Sequence, residues 1–459
     1  MASQTGRRAV VIGASVAGLL AARVLSDTFD EVLVLDRDVL CDDGRHRGGV
    51  PQSRHAHALL AGGLAALETL FPGIREELRA AGGSIADATL DVSWFAESAW
   101  LRRGPSGIEC CCIGRPRLES IVRARVRRMT NVRFVEGTMV RELVAVSDGR
   151  RILGVRTDRD TETLLAELTV DASGRGSLSP RWLEGLGYAR PVSERIEIGL
   201  RYTTRTFLRR GTTVAGGLAA CVAPSASFRR GGGAFVQEDG RFLVTLFSHF
   251  EAPAPLDLTG FIAFAASLEH PALVNAIRGA EPAGEAFAYH VPASVRRHYE
   301  RLRKFPAGYL ITGDALAAFN PMYGQGMSVA ALEALALRDV LRGGGGRIAR
   351  RFFARASRII DAAWSVVATN DIRLSRANRD SFLWRARSAY ISAFLRAAHR
   401  DMICARAFLR VTNMLAPPRS LLGPALASRT VWHSVLRVAN TRHHSIDEMT
   451  RPSSPQVSK

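Results

Sequence analysis

Two short stretches, far apart in the sequence, combine glycines with a carboxylate at the end of an apolar run. The first, "RRAVVIGASVAGLLAARVLSDTFDEVLVLDRD", predicts a strand, a glycine turn, a helix and a second strand that ends at Asp36. The second, "GDALAAFNPMYGQGMS" at 313–328, follows the apolar run "YLIT" and precedes an Ala-rich helical pattern. Glycine turns that open helices bind anions through free backbone amides, so both stretches are candidates for nucleotide binding.

The first stretch fits the dinucleotide-binding fingerprint with one departure. Gly13 permits a tight turn, and Gly18 permits close packing of the helix on the strand. Ser15 replaces the middle glycine, but it is small enough to let a pyrophosphate approach the backbone amides. Asp36 ends the second strand, where a carboxylate can hydrogen-bond a ribose diol. We predict that these four residues and the adjacent Arg37 bind an adenine dinucleotide.

NAD and FAD use the same fingerprint, and the second stretch favours FAD. NAD needs no further contact far downstream, whereas FAD has a ribityl chain and a ring that extend beyond the first strand-helix-strand unit. A carboxylate can accept hydrogen bonds from ribityl hydroxyls, proline and glycines let the backbone lie against the ring, and the positive end of a helix can face it. The residues predicted for this role are Asp314, Pro321, Gly324, Gln325, Gly326 and Met327.

The chain resembles the flavoprotein aromatic-hydroxylase-like monooxygenases, of the p-hydroxybenzoate hydroxylase fold, over nearly its whole length. The glycine fingerprint with Asp36, the motif at 313–328 and "VDASGRGS" at 170–177 match the three nucleotide motifs of that family. The resemblance implies two further cofactor contacts, from Arg47 and Arg115, which occupy places where family arginines neutralise the pyrophosphate and brace the ribityl side. The phrases "GVPQSRHAH", "GDALAAFNPMYGQGMS" and "ATNDI" are more similar still to bacterial flavin epoxidases that oxidise polyether polyketide precursors.

The resemblance implies an FAD-dependent monooxygenase. Such an enzyme inserts one oxygen atom from O2, through a flavin C4a-hydroperoxide, into an apolar natural-product substrate. The flavin carries this chemistry, so we assign no catalytic acid or base and expect oxygen and substrate near Pro321, Gly324 and Gly326. Electrons would come from NAD(P)H or from a separate flavin reductase. Epoxidation and hydroxylation stay open, as do a polyketide or terpenoid substrate and a reductase or carrier-protein partner.

Other functions are compatible with the same nucleotide motifs. An FAD-dependent dehydrogenase or reductase would show them without oxygen transfer, and a catalytically idle flavin-binding protein would show them without turnover. Halogenation is disfavoured, because the resemblance to flavin halogenases would require a W-x-W-x-I-P motif and a lysine between flavin and substrate. The chain lacks that motif, and Lys304 precedes the strand that leads to Asp314.

The order of the patterns predicts an α/β fold. We expect a Rossmann-type FAD-binding domain, a discontinuous antiparallel-sheet substrate domain and a helical C-terminal region. The FAD-binding domain comes in three parts, and the substrate domain begins with a hairpin inserted between the first two. In chain order, the predicted segments are FAD-binding 1–88, substrate hairpin 89–107, FAD-binding 108–188, substrate 189–299, FAD-binding 300–345, helical 346–441 and a disordered tail 442–459.

Composition and charge disfavour several classes of protein. Of the 459 residues, 47% are apolar, which is typical of a globular protein, and no uninterrupted apolar run predicts a spanning helix. The N-terminal sequence runs directly into a folded pattern, so we predict no export signal and a cytoplasmic location. The formal net charge of +19 comes from dispersed arginines, which argues against nucleic-acid binding. Arginine-lined faces on the C-terminal helices make membrane-surface association a less favoured alternative.

We predict no metal site. The cysteines at 110–112 are adjacent and lack the spacing of a tetrahedral site, so reduced thiols in buried strands are the favoured interpretation. His55 and His57 form an H-x-H pair, whose side chains would point apart on a helix. We interpret the two histidines as structural, or at most as neighbours of the flavin.

Overall fold

The protein is described from a computed structural model, which covers residues 7–41, 44–159, 162–209, 214, 216–225, 227–375 and 382–435. The predicted disordered tail, 442–459, lies outside these ranges, as do the last residues of the predicted helical region. The architecture is α/β with parallel and antiparallel sheets and a helical C-terminal region, in agreement with the predicted fold class.

A five-stranded parallel sheet forms the first layer. In spatial order its strands are β18 (Tyr309–Ile311), β12 (Leu168–Asp171), β1 (Arg8–Ile12), β2 (Glu31–Leu35) and β8 (Val132–Val135). Every neighbouring pair is parallel. Four of these strands, β1, β2, β12 and β18, are buried at nearly every position with little alternation, which is the pattern of strands covered on both faces.

Most α-helices lie between strands in the sequence, and the last four follow the final strand and form the C-terminal region. In chain order they are α1 (Val16–Leu25), α2 (Ala61–Leu70), α3 (Ile74–Ala80), α4 (Arg115–Arg127), α5 (Ser179–Gly185), α6 (Leu258–Ala266), α7 (Ala272–Ile277), α8 (Gly326–Arg342), α9 (Ile348–Leu374), α10 (Phe382–Ala398) and α11 (Met402–Thr412). Short 3-10 helices lie at Pro51–Arg54, Gly174–Gly176, Tyr299–Arg301, Gly313–Ala315, Pro321–Tyr323 and Pro418–Leu422.

The carboxyl ends of the parallel strands lie along one edge of the first sheet. Because β1, β12 and β18 all run in the same direction, Ile12, Asp171 and Ile311 are neighbours at this edge. Both glycine motifs begin here, one directly after β1 and the other directly after β18. Ligands of open α/β sheets bind at this edge, so the topology brings the two candidate stretches to one place.

The second layer is an eight-stranded sheet. In spatial order its strands are β19 (Ala317–Ala318), β17 (Phe287–Arg297), β13 (Ser193–Leu208), β16 (Arg241–His249), β15 (Arg230–Val236), β14 (Ala219–Val222), β5 (Val92–Ala96) and β6 (Ala99–Trp100). The pairs are antiparallel except that β5 and β14 run parallel. No hairpin joins these two strands, since they come from distant parts of the chain, and their direction is therefore set by tertiary packing.

Strand β19 connects the two sheets, because the segment that leaves the parallel sheet after β18 enters the eight-stranded sheet at β19. It begins three residues after Asp314, which follows the parallel strand β18, and pairs with β17 of the second sheet through Ala317 and Ala318. The segment that carries the second glycine motif therefore passes from one sheet to the other. A site built on this segment lies where the two layers meet.

Two smaller sheets complete the strand inventory of the described residues. One contains β11 (Leu164–Leu165), β10 (Ile152–Thr157) and β9 (Val140–Ala145), and the other contains β3 (Ala58–Leu59), β7 (Glu109–Cys112) and β4 (Ser84–Asp87). The cysteines at 110–112 are buried in β7, where burial raises the pKa of the Cys111 thiol to about 12. Of the cysteines outside β7, Cys41 is exposed and Cys404 is buried in helix α11.

The C-terminal helices pack on the core. Phe352, Phe353 and Trp364 of α9 are buried in the hydrophobic cluster that also contains the parallel strands. Helices α10 and α11 enclose a smaller cluster around Phe394 and Cys404. Among the described residues, no helix has the combination of length and hydropathy needed to cross a bilayer.

Candidate active site

The first glycine motif forms a turn that only glycine can occupy at two positions. Gly13 has a φ of +99°, and a Cβ atom there would lie 2.7 Å from the carbonyl oxygen of Ala172. A Cβ atom on Gly18 would lie 1.8 Å from the Gly13 carbonyl oxygen. The turn therefore packs backbone against backbone, as the fingerprint predicts for Gly13 and Gly18.

The carboxylate of Asp36 binds the backbone of this turn. Its Oδ2 accepts a hydrogen bond from Ala14 N at 2.6 Å, and its Oδ1 accepts one from Asp38 N at 2.9 Å. Arg47 Nη1 lies 3.1 Å from Asp36 Oδ2. Asp36 thus couples the end of β2 to the start of α1 and keeps a guanidinium beside the turn.

A second carboxylate, that of Glu119 in α4, contacts polar and charged side chains near the N-terminus of α1. Ser15 Oγ donates to Glu119 Oε2 at 2.9 Å, and Arg115 Nη2 donates to Ser15 Oγ at 3.0 Å. Arg47 Nη2 donates to Glu119 Oε1 at 2.7 Å. Burial would lower the pKa of Arg47, but the neighbouring Glu119 and Asp36 carboxylates raise it, so the guanidinium stays charged. We call Ser15, Asp36, Arg47, Arg115 and Glu119 the arginine–carboxylate cluster.

This arrangement fits a diphosphate. Ser15 is the N-cap residue of α1, yet its side chain forms no capping hydrogen bond, which leaves the first-turn amides available for a ligand. Arg115 Nε is buried and has no hydrogen-bond partner among the described residues. Amide donors, the positive end of a helix and a partly unsatisfied guanidinium together are the donor set that binds a pyrophosphate.

The second glycine motif contacts the first motif directly. Gly313 has a φ of +64°, and a Cβ atom there would lie 2.7 Å from Ala17 Cβ in α1. Thr312 Oγ1 and Gly313 N both donate to Glu333 Oε2, each at 2.7 Å. Glu333 is fully buried in α8, and burial raises its pKa to about 7. Helix α8 therefore holds the turn against α1.

Asp314 remains partly accessible after this packing. Its side chain is 32% exposed, and Arg175 Nε lies 3.3 Å from its Oδ2. Arg175 also donates through Nη2 to the Phe319 carbonyl oxygen at 2.5 Å, and Arg297 Nη1 donates to the Ala315 carbonyl oxygen at 3.0 Å. The two arginines fix the course of the backbone after Asp314 and leave its carboxylate able to accept hydrogen bonds from a ligand.

The glycine turn follows at 321–326. Pro321–Tyr323 form a 3-10 turn, Gly324 has a φ of +65°, and α8 begins at Gly326. Gln325 is the N-cap residue of α8 but makes no side-chain capping bond, and its buried Oε1 has no hydrogen-bond partner within the described ranges. A second helix start with free amides therefore lies beside the turn.

The eight-stranded sheet presents an aromatic surface to this region. His55 and Tyr202 pack edge to face with ring centroids 4.3 Å apart, and Tyr289 lies 5.7 Å from Tyr202. Met322 of the glycine turn packs against the hydrophobic cluster that contains Tyr202. We call His55, Tyr202, Tyr289 and Met322 the sheet-side cluster.

The two histidines do not lie on a helix, so that part of the prediction was wrong. The 3-10 helix ends at Arg54, and His55 has an extended backbone because the chain there turns toward β3. His55 Nδ1 lies 2.8 Å from Thr204 Oγ1, and His57 Nδ1 lies 2.7 Å from the His55 carbonyl oxygen. Burial lowers the pKa of each histidine to about 3, so both are neutral at physiological pH. In the described part of the chain, no three His, Cys, Asp or Glu side chains are grouped so as to hold a metal ion.

The structure brings most of the predicted site residues together. Gly13, Ser15, Gly18, Asp36, Arg47 and Arg115 lie at the start of α1, and Asp314, Pro321, Gly324, Gln325, Gly326 and Met327 lie on the segment that Gly313 presses against Ala17. Arg37 is exposed and makes no hydrogen bond or ion pair to the arginine–carboxylate cluster as described. Met327 is buried in the core, so only its position at the helix start serves the site.

Arg175, which contacts Asp314, lies within the predicted motif at 170–177, although no role was assigned to it there. Sequence reasoning missed Glu119, Arg297 and Glu333, each of which binds a predicted segment. Glu119 follows Arg115 by four residues on a helix, but such pairs are common on solvent-exposed helices and give no specific signal. The others act across long sequence separations that no local pattern reveals.

Comparison with curated protein sequences identifies a relative that matches almost the whole chain. No protein-family model matches the chain. Protein Rv3254 of Mycobacterium tuberculosis (strain ATCC 25618 / H37Rv) is 33% identical over 446 residues, which cover 91% of this chain and 93% of that protein. Identity and coverage at this level indicate common descent along almost the whole length.

Solved structures share the architecture at low sequence identity. The flavin-dependent brominase Bmp2 is 14% identical, with a TM-score of 0.67 over 95% of this chain and 99% of that chain. PqsL, a probable FAD-dependent monooxygenase from Pseudomonas aeruginosa, is 16% identical, with a TM-score of 0.61 over 80% of this chain and 98% of that chain. The p-nitrophenol 4-monooxygenase PnpA from Pseudomonas putida DLL-E4 is 17% identical, with a TM-score of 0.63 over 90% of this chain and 100% of that chain. These likenesses establish the fold.

Proposed function

Because the chain belongs to the same protein family as Protein Rv3254 and has the fold of flavin-dependent monooxygenases, we propose that it is itself an FAD-dependent monooxygenase. In this proposal it inserts one oxygen atom from O2 into an apolar natural-product substrate, by epoxidation or hydroxylation. NAD(P)H or a separate flavin reductase supplies the electrons. When bound, FAD supplies the activation of molecular oxygen, and the protein positions both reactants and excludes water.

The observation that carries the proposal is the contact between the two glycine motifs. Gly313 lies against Ala17, so the start of α1 and the turn after β18 form one continuous surface. A nicotinamide nucleotide would use the first part of this surface only, whereas FAD has a ribityl chain and a ring that would occupy the second. Because the surface formed by the two glycine motifs is longer than NAD needs, it favours FAD over NAD as the resident cofactor.

The arginine–carboxylate cluster would hold the adenosine and pyrophosphate half. The amides of the first turn of α1 and the guanidinium of Arg115 would face the pyrophosphate, with Ser15 between them. Asp36 already binds the turn backbone through Ala14 N, and its carboxylate would accept from the ribose diol. Arg47, which forms ion pairs with Asp36 and Glu119, would offset the negative charge of these carboxylates next to the pyrophosphate.

The second segment would hold the ribityl chain and the ring. Asp314, partly exposed and next to Arg175, would accept hydrogen bonds from ribityl hydroxyls. The backbone at Pro321, Gly324 and Gly326 would lie against the ring, and the start of α8 would direct its positive end toward the ring. Oxygen and substrate would meet at this turn.

The surroundings of the turn support an apolar substrate. Met322 packs with Tyr202 and other buried apolar side chains of the eight-stranded sheet, and burial raises the pKa of Tyr202 so that its phenol stays protonated. His55 is neutral for the same reason. A polyketide or terpenoid with an oxidisable double bond or ring would suit such a surface, and this is consistent with the resemblance to polyether-type epoxidases. We assign no catalytic acid or base.

Halogenation is not favoured by the chain's own residues. The described part of the chain contains one lysine, Lys304, which is exposed between the 3-10 helix Tyr299–Arg301 and β18. It is therefore not placed at the sheet-side cluster. The likeness to the brominase Bmp2 concerns the fold and transfers no reaction to this chain.

The proposal is tested by following oxygen atoms. The purified protein is reconstituted with FAD, reduced with NAD(P)H or with a separate flavin reductase, and mixed with 18O2 and a panel of terpenoid alkenes, polyene polyketides and phenols. Mass spectrometry of the products is expected to show one 18O atom per oxidised molecule. Electron transfer without 18O incorporation would instead indicate a dehydrogenase or reductase. Failure to bind FAD would overturn the proposal.

A further inference from the structure

A single buried carboxylate connects the glycine turn, the eight-stranded sheet and helix α9. Asp371, in the sequence "ATNDI", is 1% exposed. Its Oδ1 accepts hydrogen bonds from Asn320 Nδ2 at 2.8 Å and from Tyr323 Oη at 3.2 Å. Its Oδ2 accepts one from Ser294 Oγ in β17 at 3.1 Å. Three separate parts of the fold therefore meet on one side chain.

Asn320 links Asp371 to the backbone of the turn through two hydrogen bonds. Its side-chain amide donates to Asp371, and its Oδ1 accepts from Met322 N at 3.0 Å, which caps the 3-10 turn Pro321–Tyr323. Because Asp371 accepts from the amide nitrogen, it orients the amide with its oxygen toward Met322 N. Tyr323 is held at the other end of the same turn. Asp371 thus fixes both ends of the segment next to the proposed ring site.

A buried carboxylate is an energetically unfavourable way to attach a helix to a sheet. The three hydrogen-bond partners of Asp371 are neutral, and burial raises its pKa to about 7. An apolar side chain would pack α9 against β17 without that cost, since buried charged groups are expensive to desolvate. What an apolar side chain cannot supply is the set of acceptors that Asn320 and Tyr323 use. The chemistry of the residue therefore points to the turn.

We propose that Asp371 is a positioning residue of the active site, which holds the turn 321–324 in the conformation that receives the flavin ring. This inference rests on the proposed function. It makes the C-terminal helix α9 part of the catalytic unit, because the acceptor of the turn comes from that helix. Asp371 acts through Asn320 and Tyr323 and not on the substrate.

Two substitutions separate hydrogen bonding from packing. In D371N, the asparagine Oδ1 can still accept from Asn320 and Tyr323, and its amide can donate to Ser294 Oγ. In D371L, a side chain of the same branched shape, with two methyl groups in place of the two carboxylate oxygens, makes none of these bonds. The matched control is T369V, two residues earlier on α9, because Thr369 is also buried and its hydroxyl donates to Ser365 O of its own helix at 2.7 Å.

The first measurement is hydrogen exchange, followed by mass spectrometry, of peptides that cover residues 319–328 in protein without added flavin. Loss of the bonds to Asp371 is worth at least about 1.4 kcal/mol, so this segment is expected to exchange at least about tenfold faster in D371L. D371N and T369V are expected to stay close to the parent protein. Y323F removes one of the three bonds with little change in volume and is expected to give a smaller increase, so it keeps the test decisive if D371L does not fold.

The second measurement is the visible absorption spectrum of the FAD-loaded proteins. D371L is expected to change the flavin bands, since the ring would contact a looser turn, and D371N is expected to restore them. Equal exchange in D371L and the parent protein, or equal disturbance in D371N and D371L, would overturn the inference. If the parent protein binds no FAD, the proposed function fails, while the exchange experiment still decides whether Asp371 holds the turn.

Discussion

A Cβ atom on Gly313 would lie 2.7 Å from the Cβ atom of Ala17, so the turn after β18 and the first turn of α1 are in direct contact. These residues lie far apart in the sequence, Ala17 in the N-terminal half of the chain and Gly313 in the C-terminal half. The contact exists because β1 and β18 are both strands of one parallel sheet and end at the same edge. The two halves of the proposed FAD site are joined here.

The first prediction concerns this contact. G313A is expected to destabilise the protein more than G324A does. Both glycines have nearly the same φ, +64° and +65°, so both substitutions place alanine in the left-handed region, which costs about 1–2 kcal/mol. At Gly324, however, the nearest atom to an added Cβ is 3.9 Å away, so only the backbone cost applies. Denaturant unfolding measures both variants, and equal destabilisation would show that Ala17 yields without cost.

The second prediction concerns Gly13. G13A is expected to abolish retention of FAD, because an added Cβ 2.7 Å from the Ala172 carbonyl oxygen would displace the turn that presents the amides of α1. G185A in α5 is the control, since no atom lies within 4 Å of its added Cβ. The measurement is the ratio of flavin absorbance to protein absorbance after desalting. Normal flavin content in G13A would contradict the assignment of this turn to the cofactor.

The third prediction concerns Arg115. R115A is expected to raise the Kd for FAD about 10- to 100-fold, since a hydrogen bond to a charged group is worth about 1.5–3 kcal/mol. R117A, on the same helix, is the control. Arg117 is more exposed, and its ion pair within the described residues, to Asp239 at 3.8 Å, is a long one, so R117A is expected to change the Kd by less than about threefold. Fluorescence titration of the flavin-free proteins with FAD measures both constants. A similar effect of R115A and R117A would mean that general charge, and not the site, governs binding.

The fourth prediction concerns the pH dependence of stability. Burial raises the pKa of Glu333 from 4.5 to about 7, so the folded protein keeps a proton that the unfolded chain releases. The stabilisation of the folded protein that follows from this proton is fully present below the pKa that Glu333 has in the unfolded chain. It is lost as the pH rises through the pKa that Glu333 has in the folded protein. For a shift of this size the loss is on the order of 3 kcal/mol between about pH 4 and pH 8.

E333Q tests this assignment. Glutamine keeps an oxygen acceptor for Thr312 and Gly313 but does not titrate, so its own effect on packing is independent of pH. The free energy of unfolding, measured by denaturant titration at several pH values, is expected to fall for the parent protein relative to E333Q as the pH rises. A difference that does not vary with pH would show that Glu333 titrates alike in the folded and unfolded protein.

Local sequence patterns were sufficient for the parts of the site that depend on neighbouring residues. The strands β1 and β2, the turn at Gly13 and the start of α8 were predicted because each depends on a run of adjacent residues with a characteristic composition. The α/β fold class followed from the order of such runs. Contacts between distant segments could not be predicted in this way. The sequence indicated a hairpin at 89–107 but not the parallel pairing of β5, which lies within it, with β14.

The amino-acid sequence by itself therefore determined the fold class and the two glycine motifs, and it predicted a dinucleotide as their ligand. Only the tertiary structure decided that Glu119 accepts hydrogen bonds from Ser15 and Arg47, that Glu333 binds the start of the second motif, and that Asp371 binds its middle. The physical reason is range. Strand, turn and helix preferences act over a few residues, whereas a buried carboxylate finds its donors only where packing brings distant segments together and removes the competing water.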